Sequence, residues 1–285
     1  MSTTEPAPDR VLAIVGVGLL GGSIAAAAKQ RGVAARVIGI GRNAERLQAA
    51  VDMGLIDAFA TDPAECDGEW NFAVVATPVD RIAGDVHRLA EASRPGTLIT
   101  DVGSVKETVC NAASLGLPDG VRFVGSHPLA GSEKNGFEFS DATLFEGRAT
   151  IVTPLNSSQN EAADEVTAFW QSLGSIVHRL DVESHDRALA MTSHLPHVAA
   201  AALASLLTED LRPLAATGFR DTTRVAAGDP DLWVSILLSN AGAIAGSLDE
   251  FSRQFDEFRE AVRNHDGERL KTLLQLAKTS RDALD

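Results

Sequence analysis

Basic residues are scarce in this chain: 25 Lys and Arg stand against 39 Asp and Glu, a formal net charge of −14 over 285 residues. A nucleic-acid surface needs clustered Lys and Arg, so this balance argues against that class of partner. It does not exclude an anionic small molecule, provided a few basic side chains gather in one place. Cysteine is scarcer still. Cys66 and Cys110 are the only two, too few for a disulfide scaffold or a Cys-rich metal centre. No apolar run approaches the roughly 20 residues of a membrane span. The polar start, Met1 to Arg10, lacks the apolar core of a signal peptide. Internal repeats and long low-complexity segments are also missing, and the Ala-rich stretch from Ala199 to Ala204 is ordinary helix filling. The remainder, 45% apolar and 22% charged, reads as a soluble cytoplasmic protein with length for one large or two ordinary domains.

What is present is organised around Val11-Leu-Ala-Ile-Val-Gly-Val-Gly-Leu-Leu-Gly-Gly-Ser23. A short run of β-formers ends at Gly16, and an Ala-rich helical pattern starts by Leu20. Gly16, Gly18 and Gly21 carry the G-x-G-x-x-G spacing between that strand and that helix. The first glycine makes a tight turn, the second lets main chain approach a pyrophosphate, and the third lets helix and strand pack closely. The pyrophosphate then sits on the helix's positive end, beside Leu19 and Leu20. The spacing predicts a dinucleotide-binding βαβ unit. The next strand, Arg36 to Ile40, ends without the carboxylate that would hold a ribose 2′-hydroxyl. Gly41 and Arg42 stand there instead, and an Arg can meet a 2′-phosphate, which tilts the cofactor from NAD toward NADP.

Further strands are expected at Phe72 to Ala76, Thr97 to Asp101, Arg122 to Ser126, Ala149 to Thr153 and Ser175 to Leu180, with helices between them. Alternation at these lengths predicts a doubly wound α/β sheet with ligands at the strands' carboxyl ends. Those tips are Thr77-Pro78, Asp101 to Lys106 with Gly103 and Ser104, and His127 onward. From Glu183 the pattern is helical to the end, so the chain divides into a Rossmann-type domain, 1–181, and an all-α domain, 182–285. Glu183 to Leu207 reads as one helix bent at Pro196, with His194 and His197 on one face. Asp229-Pro230 starts another helix. Leu248, Phe251, Phe255, Phe258 and Val262 form a seam suited to packing on another helix, in this chain or in a second copy.

His127 follows a strand at the expected cofactor edge, where an imidazole can take a hydroxyl proton while hydride leaves the same carbon. Ser104, Ser126 and Ser132 could orient a substrate, although small hydroxyls also serve tight turns. His185, His194 and His197 could in principle bind a metal, but hydride chemistry needs none.

Several blocks together resemble the prephenate dehydrogenase (arogenate dehydrogenase) family. They are the glycine stretch, Asp101-Val-Gly-Ser-Val-Lys106, His127-Pro-Leu-Ala-Gly-Ser-Glu133, Ser193-His-Leu-Pro-His197, Gly218-Phe-Arg-Asp-Thr-Thr-Arg224 and Asp229-Pro-Asp-Leu-Trp233. The resemblance implies a Rossmann domain with a helical dimerisation domain, hence a homodimer. It also implies NAD- or NADP-dependent oxidative decarboxylation of prephenate to 4-hydroxyphenylpyruvate on the route to tyrosine. His127 would accept the ring hydroxyl's proton and Ser104 would hydrogen-bond that hydroxyl. Arg224 would bind a carboxylate, with Arg220 its competitor for that role. His194 and His197 would line the substrate side, with Ser132 and Glu133 at the mouth. Lys106 and Lys134 would add positive charge for a dianion. Arogenate, with an amino group for the keto group, is the alternative substrate. The chain stops at Asp285, leaving no room for an appended regulatory domain. Relatives that act on β-hydroxy acids use a helical-domain Lys, and Glu183 to Leu207 contains none.

Overall fold

The computed structural model describes residues 9–66, 68–131 and 134–284. Six parallel strands form the main sheet in the order β3-β2-β1-β4-β5-β6: β1 Val11–Val15, β2 Arg36–Ile40, β3 Ala58–Ala60, β4 Phe72–Val75, β5 Leu98–Asp101 and β6 Arg122–Phe123. Helices α1 (Leu19–Gln30), α2 (Ala44–Asp52), α3 (Val79–Glu91) and α4 (Glu107–Ala113) connect them. The sheet is buried on both faces, which is why its strands read as continuous apolar runs. Leu12 and Ile14 of β1 join one core cluster with Ile24 of α1. Ala13 and Val15, pointing the other way, join a second with Ile82, Val86 and Leu89 of α3. Asn43 caps α2 by accepting the Arg46 N–H at 3.0 Å.

The sheet departs from the expected single sheet in two ways. Strand β3 is an addition: three residues are too short to show a period. The strand expected over Arg122 to Ser126 is divided. After β6 the chain turns into β7 (Gly125–Pro128), which pairs antiparallel with β8 (Ala149–Thr153), itself parallel to β9 (Ile176–Arg179). The cause lies at the end of β5. Asp101 Oδ1 accepts the Ser126 N–H at 3.0 Å, and the Ser126 hydroxyl donates to the Asp101 carbonyl at 2.5 Å. Side chain thus replaces main chain as Ser126's partner, and the strand swings onto β8. His127 consequently sits within a strand, opposite Ile151, rather than in the loop after one. Helix α5 (Asn160–Ser172) covers this second sheet and buries Phe169 and Trp170.

From Val182 every element is helical: α6 (Val182–Leu189), α7 (Leu195–Ser205), α8 (Thr217–Thr223), α9 (Pro230–Ser239), α10 (Ala241–Arg263) and α11 (Gly267–Asp282). The expected single helix over Glu183 to Leu207 is interrupted by a π-turn at Ala190–His194. Pro196 closely follows that π-turn in a continuously helical stretch and, having no N–H, cannot extend its hydrogen-bond ladder. Asp229 caps α9 with Pro230 at its first position, as expected. Ile236 of α9 enters the core cluster that holds Ile82 of α3, tying the helical part to the sheet. Along α10 and α11 the apolar seam stays open. Phe251, Phe255, Val262 and Leu274 are exposed, Phe255 to 61%. No single helix among the described residues is long and apolar enough to cross a membrane.

Candidate active site

Gly16 ends β1 with φ +92°, and a Cβ there would lie 2.7 Å from the Ala76 carbonyl oxygen. A Cβ on Gly21 would lie 2.2 Å from the Gly16 oxygen. Both positions therefore require glycine. Gly18, by contrast, has no neighbour within 4 Å of a Cβ position, so a ligand can approach its backbone closely. Gly16 and Gly18 line a cleft of about 760 Å³ together with Gly41, Arg42, Thr77 and Pro78. Leu19 and Leu20 open α1, whose first N–H groups have no intrahelical partner. No acidic residue occupies that first turn, so the positive helix end is uncompensated. The buried Thr77 Oγ1 in the same wall lacks a hydrogen-bond partner. Approachable backbone, helix end and orphaned hydroxyl fit a nicotinamide dinucleotide.

A second cleft, about 620 Å³, opens where the sheet meets the helices. Ser104 and His127 form one wall; Leu189, Thr192, Ser193, His194, Trp233 and Ile236 form the other. Thr77 and Pro78 follow β4, and Ser104 follows β5, its hydrogen-bonded neighbour. The two clefts therefore flank strand tips roughly 4.8 Å apart.

His127 is 9% exposed. Burial, reinforced by His185, Lys106 and His194 nearby, pushes its pKa well below the usual imidazole range. Its ring is thus neutral at pH 7 and able to accept a proton. The Asp101 carboxylate accepts from Gly103 N at 2.8 Å and forms a wholly buried ion pair with Lys106 Nζ. That ammonium also donates to the Ser126 carbonyl at 2.8 Å. Trp170 Nε1 donates to Ser126 Oγ at 2.9 Å. Asp101 and Gly103 therefore brace the corner that carries His127, and neither lines the dinucleotide cleft. Lys106 is likewise spent on Asp101 rather than offered to substrate. Lys134 lies over the Phe139 ring, 5.1 Å from its centroid.

His194 lines the second cleft, and its buried Nε2 has no partner. Asn240 Nδ2 donates to the Asp186 carbonyl at 2.8 Å, which fixes the amide's orientation, and lies 3.3 Å from His194 Nδ1. His194 Nδ1 is then an acceptor, so its proton sits on Nε2, a donor aimed into the cleft. Burial lowers this imidazole to about 4, against the opposing pull of Asp186. His197 does not line the cleft as expected. It stacks on Trp233, ring centroids 3.5 Å apart and 10° from parallel, so it backs the indole that does. Trp233 belongs to a quoted sequence block but carries no assigned role there, and Arg148 lies in no motif; both reach this cleft only through the fold.

Arg220 and Arg224 are not brought to the cleft within one chain. Arg224 begins a 3-10 turn after α8, and both side chains are exposed; Arg220 Nε donates to the Ala215 carbonyl at 3.2 Å. The cation on the second cleft's wall is Arg148, just before β8. Ser132 and Glu133 lie outside the described residues.

Residues 24–179 match the family model for the prephenate dehydrogenase nucleotide-binding domain, and 181–276 that for the prephenate dehydrogenase dimerization domain. A prephenate dehydrogenase of Bacillus subtilis is 36% identical over 283 residues, covering 97% of this chain and 76% of the relative. The crystal structure of prephenate dehydrogenase from Aquifex aeolicus with hydroxyphenyl propionate and NAD+ superposes with a TM-score of 0.89 at 32% identity, over 97% and 98% of the chains. Synechocystis arogenate dehydrogenase gives 0.84 at 28% identity, over 96% and 100%.

Proposed function

The chain belongs to the prephenate dehydrogenase family and is an NAD(P)-dependent oxidoreductase, and on that premise we propose that its substrate is prephenate, converted to 4-hydroxyphenylpyruvate by oxidative decarboxylation. The observation that carries this reading is the second cleft. It sets a neutral histidine acceptor, His127, and a hydroxyl, Ser104, beside the tip of the strand next to the dinucleotide cleft. A bound nicotinamide ring supplies a hydride acceptor. His127 takes the ring hydroxyl's proton as the carbon–oxygen bond gains double-bond character, and Ser104 orients that oxygen. Departure of the ring carboxylate as carbon dioxide then aromatises the ring, which makes the step effectively irreversible.

His194, through Nε2–H, and Arg148 give the substrate's polar ends their partners, and Arg224 is the further carboxylate ligand that the family resemblance implies. The family resemblance also implies roles for Ser132 and Glu133 toward the substrate. Gly16, Gly18, Leu19, Leu20, Thr77 and Pro78 hold the dinucleotide. Arg42, on the cleft wall with no carboxylate at its strand tip, favours NADP. The helical part, residues 182–285, makes a homodimer through Phe251, Phe255, Val262 and Leu274. Their exposure and the dimerization-domain match both support this.

The test is absorbance at the reduced-nicotinamide band with prephenate or arogenate, each with NAD or NADP. Fastest turnover of prephenate with NADP is expected. Turnover of arogenate alone would overturn the substrate, and NAD preference would overturn the role of Arg42.

A further inference from the structure

His185 and Asp186, at the middle of α6, touch neither cleft that holds ligand, yet they are almost fully buried. His127 Nδ1 lies 2.9 Å from His185 Nε2, with the rings edge to face. His185 Nδ1 lies 2.7 Å from Asp186 Oδ1. The same oxygen accepts the Lys106 N–H at 2.8 Å, and Oδ2 accepts the Glu107 N–H at 2.9 Å. Asn240 Nδ2 holds the Asp186 carbonyl from the opposite side.

These contacts permit one proton arrangement. Main-chain N–H groups can only donate, so both oxygens of the Asp186 carboxylate are acceptors. His185 Nδ1 must therefore carry its ring's proton and donate to Oδ1. A neutral imidazole has one N–H, so His185 Nε2 is bare. The proton between the two rings then belongs to His127 Nδ1. His127 Nε2 is left as the unprotonated nitrogen, the one the proposed reaction needs.

Resting on the reading of His127 as the base, we propose that His185 and Asp186 are positioning residues forming a carboxylate–imidazole–imidazole relay that sets the tautomer of His127 and takes over its positive charge. When a substrate O–H bond breaks and the proton joins His127 Nε2, the proton on His127 Nδ1 shifts to His185 Nε2. His127 is again neutral, and the imidazolium is His185, donating to the Asp186 carboxylate. The groups facing this pair explain the direction of transfer. Burial and Lys106 oppose a cation at either ring; His194 adds to this at His127, whereas Asp186 and Asp101 favour one only at His185. Asp186 keeps its charge throughout, as the carboxylate of a catalytic triad does.

Side-chain 15N NMR of the wild-type protein without substrate tests the tautomer directly. The expected spectrum shows His127 protonated at Nδ1; a spectrum with Nε2–H overturns the relay whatever the activity. Asp186→Asn keeps at best a neutral carbonyl acceptor for His185 Nδ1, because its amide nitrogen opposes the Lys106 N–H on one side and the Glu107 N–H on the other. An imidazolium at His185 then loses its counter-charge. The substitution should lower kcat by roughly 10³–10⁴-fold with KM nearly unchanged. His185→Gln, whose amide oxygen still accepts from His127 Nδ1, should retain far more kcat than His185→Leu. Near-parental kcat in Asp186→Asn, or equal losses in His185→Gln and His185→Leu, would also refute the relay. Failure of prephenate turnover with the Nδ1–H tautomer present would instead refute the substrate reading and leave the proton arrangement standing.

Discussion

Lys106→Met is the perturbation whose size the structure fixes best. Lys106 is 0% exposed, as is Asp101, and its ammonium bridges that carboxylate and the Ser126 carbonyl. Methionine matches the length and fills the space but leaves a buried carboxylate with only its N–H donors from Ser126 and Gly103. Removing one partner of a buried pair costs about 3–5 kcal/mol. At about 2–4 °C per kcal/mol for a unit of this size, the melting temperature should drop by about 6–20 °C. Adding Asp101→Asn removes the stranded charge while keeping an acceptor, so the double variant should be no less stable than Lys106→Met alone. Tryptophan fluorescence reports the transition, because Trp170 donates to Ser126 Oγ within the same corner. A shift below about 2 °C, or a double variant destabilised by the sum of the singles, would refute the reasoning. The same substitution should lower kcat, since Ser126 immediately precedes His127.

His127→Asn should lower kcat by roughly 10²–10⁴-fold with little change in KM, because the lost contact strengthens only in the transition state; stopped-flow absorbance checks this. In the parent, the acid limb of kcat/KM should lie well below pH 6.5, since burial depresses the His127 pKa. Stability should follow the same sign. Neutral buried His127 and His194 take up protons only on unfolding, so their contribution is present above about pH 6.5 and lost as pH falls toward about 4 for His194; denaturant melts across that window check it. Arg148→Ala should raise KM for prephenate at least as much as Arg224→Ala if the described cleft is the binding site; a rise confined to Arg224 would remove Arg148 from the role. Arg42→Ala should weaken NADP about ten- to a hundredfold with little effect on NAD, measured by fluorescence titration.

The dinucleotide half was legible because its signals are local. The glycine spacing, the apolar runs of β1 and β4 and the caps at Asn43 and Asp229 each act within a few residues. Positions decided at a distance were not legible. Asp101 stands where a motif reading expects a cofactor contact, yet a lysine five residues on and a main-chain N–H twenty-five residues on consume it. Pro196 signalled a break in the helix, but nothing near it announces the π-turn at Ala190–His194 or the Asn240 amide that meets His194 Nδ1 from across the domain. Arg148 follows no motif; it reaches the cleft because β8 pairs with β7 beside His127. Arg224 and Arg220 belong to motif blocks, but within one chain their turn packs on α7, near the His197–Trp233 stack, with both side chains exposed.

The histidines give the site a division of labour that composition alone cannot show. Burial lowers the pKa of His127, His185, His194 and His197 alike, so at neutral pH the site holds no imidazolium. An imidazolium would attract a dianionic substrate, but at His127 it would have no lone pair to receive the hydroxyl proton. Charge is therefore left to arginine, which does not titrate, and proton transfer to imidazole. The two cleft histidines are set oppositely: Asn240 puts the proton of His194 on the nitrogen facing the cleft, whereas His185 draws the proton of His127 away from it. One becomes a donor for a substrate oxygen and the other an acceptor for a substrate proton. Exchanging the two roles would require only the partners behind the rings to change. For that reason Asp186 and Asn240, which make no part of the cleft surface around His127, bear on its chemistry as directly as the residues that do.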